Sequence, residues 1–325
     1  MRRITALPRI LLALTLLLAA CGGGGEDDGD GASPETTTTK PAITVIMAGY
    51  DLAVGPPSRF IVGVVNEDKG PVGYGTVDMR FFFLGTGGPD TEAKPGPTAT
   101  GRYLPLPDSP PPPEDADKPV YLQETERGVY AAEVAFDQAG FWGVAVTADL
   151  DKPETATATF KVQPSHAVPA PGDPAPPSDN LTLDTPDAAP VAIDSRAGGG
   201  DPVPDPDLHR TTVKAALAAG RPVVLVISTP TFCVSVFCGP VTDMVDELGA
   251  EYGDRASFIH IEVWKDFEGQ ALNDSAKDWI ARGEDINEPW VFLIGEDGKI
   301  THRWDNVATR GEIEPLLQKL PVIAG

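Results

Sequence analysis

The chain has 325 residues, 41% of them hydrophobic, which is enough for two domains with cores of their own. Its 48 acidic residues against 25 basic ones give a formal net charge of −23, a field that repels phosphate backbones and anionic lipid head groups and argues against nucleic acid as a partner. Loss of Arg2, Arg3 and Arg9 with a leader would carry that charge to about −26.

In chain order, Met1-Arg2-Arg3 and Arg9 precede an apolar run from Ile10 to Ala20, and Cys21 follows. A charged start, a short apolar stretch and small residues before a cleavage point read as a secretory signal over 1–20. The run is too short for a comfortable spanning helix and passes at once into Gly22 to Gly25 and Glu26. Leu18-Ala19-Ala20-Cys21 resembles the lipobox of bacterial lipoproteins, which implies a lipid on Cys21, anchoring in the cell membrane and an extracytoplasmic mature chain. The alternative is an ordinary signal with an incidental cysteine. Arg2-Arg3 lacks the surroundings of a twin-arginine signal, so general secretion is expected. Residues 21–41 hold almost nothing to bury and read as a flexible tether.

Residues 42–163 read as strands. Phe60–Val65, Thr76–Phe83, Val120–Leu122, Val129–Phe136, Trp142–Ala148 and Ala156–Val162 are rich in β-formers, parted by Gly, Pro, Asp and Asn turns with no helical period. About seven strands predict an all-β sandwich of immunoglobulin-like type, with Trp142 as packing and Pro110 to Pro113 in an exposed loop. Such a domain shows no chemistry of its own, and a spacer or interaction role is the default. Residues 164–207, with Pro169-Ala170-Pro171 and Gly198-Gly199-Gly200, read as a Pro/Gly/Asp-rich, semi-extended linker.

From 208 the pattern alternates between helix and strand. Asp207 caps a helix with Leu208, Val213, Ala216 and Leu217 on its apolar face, and Gly220 ends it. Val223 to Ile227 is a buried strand, and Val241, Met244, Val245, Leu248 and Tyr252 give a second helix. Ser257–Val263 is a strand, and Leu272, Ala276, Trp279 and Ile280 mark a third helix. Trp290–Ile294 and Lys299–Trp304 form a hairpin, and Ile313, Leu316, Leu317 and Leu320 mark a last helix. Between the first strand and the second helix stand Cys233 and Cys238, as T-P-T-F-C-V-S-V-F-C-G-P. With Cys21 set aside they are a pair, and in an exported chain a pair favours a disulfide.

This order, the thiols after a central strand, and Glu288-Pro289 before the hairpin resemble the thioredoxin fold over residues 208–321. The resemblance implies an α/β thioredoxin-like domain. Phe232-Cys233 stands where that family has Trp-Cys, and Pro289 where it has a cis-proline that binds an extended substrate. It further implies exchange with protein thiols and disulfides, with Cys233 attacking and Cys238 resolving, and no cofactor. The sequence departs from the family in its C-x4-C spacing and in having Ile227 where the family buries an acid. In a second register Cys238-Gly239-Pro240 begins the motif and Val241 replaces the resolving thiol; the first register satisfies both flanks.

Two rivals stay open. A permanent Cys233–Cys238 bridge would pin the loop of a redox-inert binding or scaffold lipoprotein. Copper-delivery proteins of the same fold use a C-x3-C pair with a distal histidine, and His260 and His302 are the candidates here, although neither stands in a loop that reaches the thiols; no metal is expected. Trp290 either lines a groove or packs the domain, and Asp243, Asp246 and Glu247 read as a solvated helix face. No phosphate loop, Ser/His/Asp set or paired catalytic carboxylate stands out.

Overall fold

The computed structural model describes residues 42–87, 92–233, 235–281 and 286–323. The signal, Cys21 and the tether up to residue 41 lie outside the described residues. No helix among the described residues is long and apolar enough to cross a membrane.

Among the described residues the first region has nine antiparallel strands: β1 (Thr44–Met47), β2 (Ser58–Asn66), β3 (Gly70–Gly73), β4 (Thr76–Gly85), β5 (Lys94–Pro105), β6 (Val120–Tyr121), β7 (Gly128–Val134), β8 (Gly140–Asp149) and β9 (Pro153–Val162). They hydrogen-bond in one path, β6-β3-β2-β7-β5-β4-β8-β9, with β1 alongside β2. The path folds back on itself: Val54 N donates to Gln163 O, and Gln163 N donates to Leu52 O, just past the end of β9. Alternation drives this. In β4, Val77, Met79 and Phe81 point inward while Thr76, Asp78 and Arg80 face water. Phe60, Phe81, Phe136 and Phe160 meet at ring distances of 4.9 to 6.3 Å, and the buried Trp142 ring joins Phe83 and Phe136. Trp142 Nε1 is spent on Gln138 O at 3.0 Å, so that residue is packing.

Strands β1, β3 and β5 exceed the sequence expectation. The β5 strand carries Pro95, Gly96 and Pro97 yet runs between β4 and β7. Its register shifts between Arg80, opposite Thr98, and Phe82, opposite Pro95, which leaves Gly96 and Pro97 outside the regular ladder. A side chain at Gly96 would run into Trp142, and one at Gly101 into Met79, so the glycines are demanded by the core.

The second region contains α1 (Pro190–Ile193), α2 (Val213–Ala218), β10 (Val223–Ser228), α3 (Cys238–Tyr252), β11 (Ser257–Glu262), β12 (Trp264–Asp266), β13 (Ala271–Leu272), α4 (Asp274–Ile280), β14 (Trp290–Ile294), β15 (Ile300–Asp305) and α5 (Arg310–Leu317). A four-stranded sheet has the order β11-β10-β14-β15, with β10 and β11 parallel and the other neighbours antiparallel. Apolar residues of α2 and α4 pack on Val223, Leu225 and Ile227. Those of α3 and α5 pack on Val224 and Val226. Covered on both faces, β10 is buried at every residue, which is why it reads as an unbroken apolar run.

The stretch 164–207 carries α1 and short 3₁₀ turns after residue 189, and it is a packed strap and no free linker. Asp51 accepts from Ala167 N and Val168 N at 3.0 and 3.1 Å. Ile300 N donates to Asp173 O, and Ala175 N donates to Gly298 O. Farther on, Ser178 accepts from Trp279 Nε1 at 2.9 Å, and Ala192 O accepts from Asn273 Nδ2 at 2.9 Å. Backbone groups at Gly298 and Ile300 and the side chains of Asp51, Trp279 and Asn273 supply its partners.

The two regions also meet directly, within one compact unit. Arg59 of β2 pairs with Glu312 of α5 at 2.8 Å, and Arg303 of β15 pairs with Asp51 at 2.8 Å. Val307 is buried among Ala48, Ile61, Leu106 and Val129, with Phe237 against the same cluster.

Candidate functional site

The loop after β10 carries Phe232 and Cys233, and α3 begins at Cys238 itself. Cys233 and Cys238 are joined by a disulfide with a Cα–Cα separation of 6.2 Å. Cys238 is completely buried, whereas Cys233 is partly exposed and its Sγ lies 3.2 Å from Ser235 Oγ. Cys238 thus stands in the first turn of the helix, while Cys233 precedes it in the loop.

Each flank of the pair is held. The Phe232 ring stacks on Phe267 at 4.2 Å and 1°, and Trp264 meets Phe267 edge-on at 5.4 Å. Thr231 N donates to Ser195 Oγ of the strap at 3.1 Å. Behind Cys238, its carbonyl accepts from Thr242 Oγ1 at 2.8 Å, Thr242 meets Ser228 Oγ at 2.6 Å, and Ser228 meets His260 Nε2 at 2.9 Å.

Glu288 is the residue that sequence reasoning missed. A carboxylate oxygen of Glu288 and the two sulfurs lie within 4.8 Å of one another. Burial, together with the charge of Glu262, pushes the Glu288 carboxyl up to about 7. Glu262, at the buried end of β11, accepts from Ser195 N at 2.8 Å and Trp264 N at 3.1 Å; burial raises it as well. Ile227, where the resemblance places an acid, is fully buried and apolar, and Glu288 stands in the segment before β14. The signal was the pairing of Glu288 with Pro289, read for its proline alone.

Pro289 follows immediately, with a cis peptide bond before it. Its carbonyl accepts from Asn306 N at 2.8 Å, and the Glu288 carbonyl accepts from Tyr50 Oη at 3.2 Å. A residue of the first region thus reaches the wall beside the disulfide, its ring 6.2 Å from that of Trp290. Burial, followed by the charges of Asp305 and Glu288, holds the Tyr50 hydroxyl far above its ordinary pKa, so it is a fixed donor. Trp290 itself is 2% exposed, stacks on Phe292, and gives Nε1 to Asn287 O: it packs the domain.

The histidines do not join the thiols. His302 is exposed and stacks on Trp304, and His260 is buried with Asp194 and His209. Cys233, Cys238 and Glu288 are the groups that could together hold a soft ion at this place once the disulfide is opened. On α3, Asp243 is half in use, accepting from Arg196 at 2.9 Å.

No protein-family model matches the sequence, and no curated protein is significantly similar to it.

Proposed function

We propose that the protein exchanges disulfides with protein clients through Cys233 and Cys238. On this reading the second region is thioredoxin-like, the first is an immunoglobulin-like sandwich, and a lipid on Cys21 holds both at the extracytoplasmic face of a membrane. The observation that carries the proposal is the asymmetry of the pair: a partly exposed cysteine backed by a buried one, with the Glu288 carboxyl, pushed up by burial, beside them. The thioredoxin-like reading draws support from the strand order β11-β10-β14-β15, the thiols after β10, and Pro289 directly before β14.

In the oxidising direction a client thiolate attacks Cys233 Sγ, and the bond to Cys238 breaks with its electron pair on Cys238 Sγ. Glu288, in its acid form, gives that sulfur a proton. A second client thiolate then attacks the mixed disulfide; the client disulfide forms, and Cys233 leaves as thiolate. In the reducing direction the Glu288 carboxylate takes the proton back from Cys238. Burial of Cys238 makes attack at Cys233 the open route.

The same burial favours a second reading, a bridge that only braces the loop. Measuring the reduction potential separates the two. Exchange predicts a value between about −270 and −120 mV and turnover of a model disulfide. A value below about −300 mV without turnover assigns the bridge to structure.

A further inference from the structure

Away from the disulfide, three side chains from three separate elements converge in the interior. Asp194 ends α1, His209 closes a short 3₁₀ turn (Pro206–His209), and His260 sits in the middle of β11. Their exposures are 0%, 0% and 1%. Asp194 Oδ2 lies 3.5 Å from His209 Nε2 and 3.4 Å from His260 Nδ1. These separations are too long for good hydrogen bonds, and both ring nitrogens of His209 and Nδ1 of His260 are left with no hydrogen-bond partner. Buried polar atoms of this kind call for an explanation.

We propose that Asp194, His209 and His260 form a structural divalent-metal site of zinc type. Four ligand atoms at about 2.1 Å around a tetrahedral zinc stand about 3.4 Å apart, so both carboxylate-to-imidazole separations already have the required length. The surroundings are those of a metal site. His260 Nε2 is held by Ser228 Oγ at 2.9 Å, which turns Nδ1 toward Asp194. Asp194 Oδ1 accepts from the backbone and Nε of Arg196, at 2.9 and 3.0 Å, which fixes the carboxylate. Arg196 Nη2 also donates to Asp194 Oδ2 at 2.7 Å, and Asp205 and Asp243 share the charge of that guanidinium. Two imidazoles and a carboxylate suit zinc better than a soft monovalent ion or a hard all-oxygen cation. With every protein ligand buried, the ion's work is to fasten the strap, through Asp194 and His209, to β11.

The test uses the full chain without affinity histidines, with Cys21→Ser and the disulfide kept oxidised, and zinc alone as probe. The expected result is equimolar zinc after dialysis, a rise in Tm over the chelator-treated protein, and a tetrahedral Co(II) spectrum without sulfur-to-metal charge transfer. The Cys233→Ser/Cys238→Ser variant keeps that metal, and His209→Gln loses it. Should His209→Gln fail to fold, the Tm comparison on the unsubstituted ligands decides. Absence of equimolar zinc together with an unchanged Tm overturns the site. So does zinc retained by a folded His209→Gln chain, or zinc lost with the two cysteines.

Discussion

The two halves of the molecule bury very different things. The first closes its sheet around Phe60, Phe81, Phe136, Phe160 and Trp142, a cluster that includes no carboxyl or imidazole among the described residues. The second buries Asp194, His209, His260 and Glu262 within or beside apolar layers of similar quality. Desolvating such groups is costly unless they are paired or in use. The contrast teaches that buried acids and imidazoles are concentrated where a strap, a sheet and a loop meet, and that the first region reaches that place through Tyr50.

Substitution can break or sharpen that contrast. The largest effect belongs to the sulfurs. Cys233→Ser abolishes exchange with a client disulfide while the far-ultraviolet dichroism of the fold persists; residual turnover would move the chemistry elsewhere. Next comes the aromatic core. Phe81→Ala costs about 3–5 kcal/mol in urea unfolding but leaves exchange by the folded fraction unchanged, as expected of a region without chemistry. A parallel loss of exchange would show that the halves are not functionally separate.

Glu288→Gln has a smaller effect, and its sign depends on pH. With the acid form donating to Cys238, oxidation of clients slows by about tenfold below pH 7, and the ratio of parent to variant rates falls as pH rises through 7. A carboxyl raised by burial contributes stability below its unfolded value of 4.5 and loses it as pH climbs through about 7. The variant therefore gains stability relative to the parent at pH 8 compared with pH 5; equal pH dependence in both would remove Glu288 from the site. Smallest is Tyr50→Phe, which deletes the hydrogen bond to the Glu288 carbonyl. It should cost about 0.5–1.5 kcal/mol and speed or slow exchange only slightly, as read by client kinetics.

Much of the second region was legible because its signals are local. Val223 to Ile227 announces a doubly covered strand, and the cysteines flank the corner where α3 starts. The first region was legible in its alternating strands and illegible at β5, because Pro95, Gly96 and Pro97 carry turn signals that the close approach of Trp142 overrides. The strap was misread for a related reason. Its partners, Asp51, Ile300, Gly298 and Asn273, are remote in sequence, and composition alone does not reveal them. Glu288 and Asp194 were missed because a lone acid in a loop looks solvated until the fold buries it.

The strap has a practical consequence for dissecting the molecule. A fragment beginning at 208, where the alternating pattern starts, would leave Trp279 Nε1 without Ser178, Val213 N without Asn180, and Thr231 N without Ser195. It would also open a trough along the sheet edge at Ile300. Moving the cut back to 164 restores those partners but strips Asp51 from Arg303 and Tyr50 from Glu288. The smallest piece that keeps every surface of the disulfide site intact is the whole span from 42 to 323.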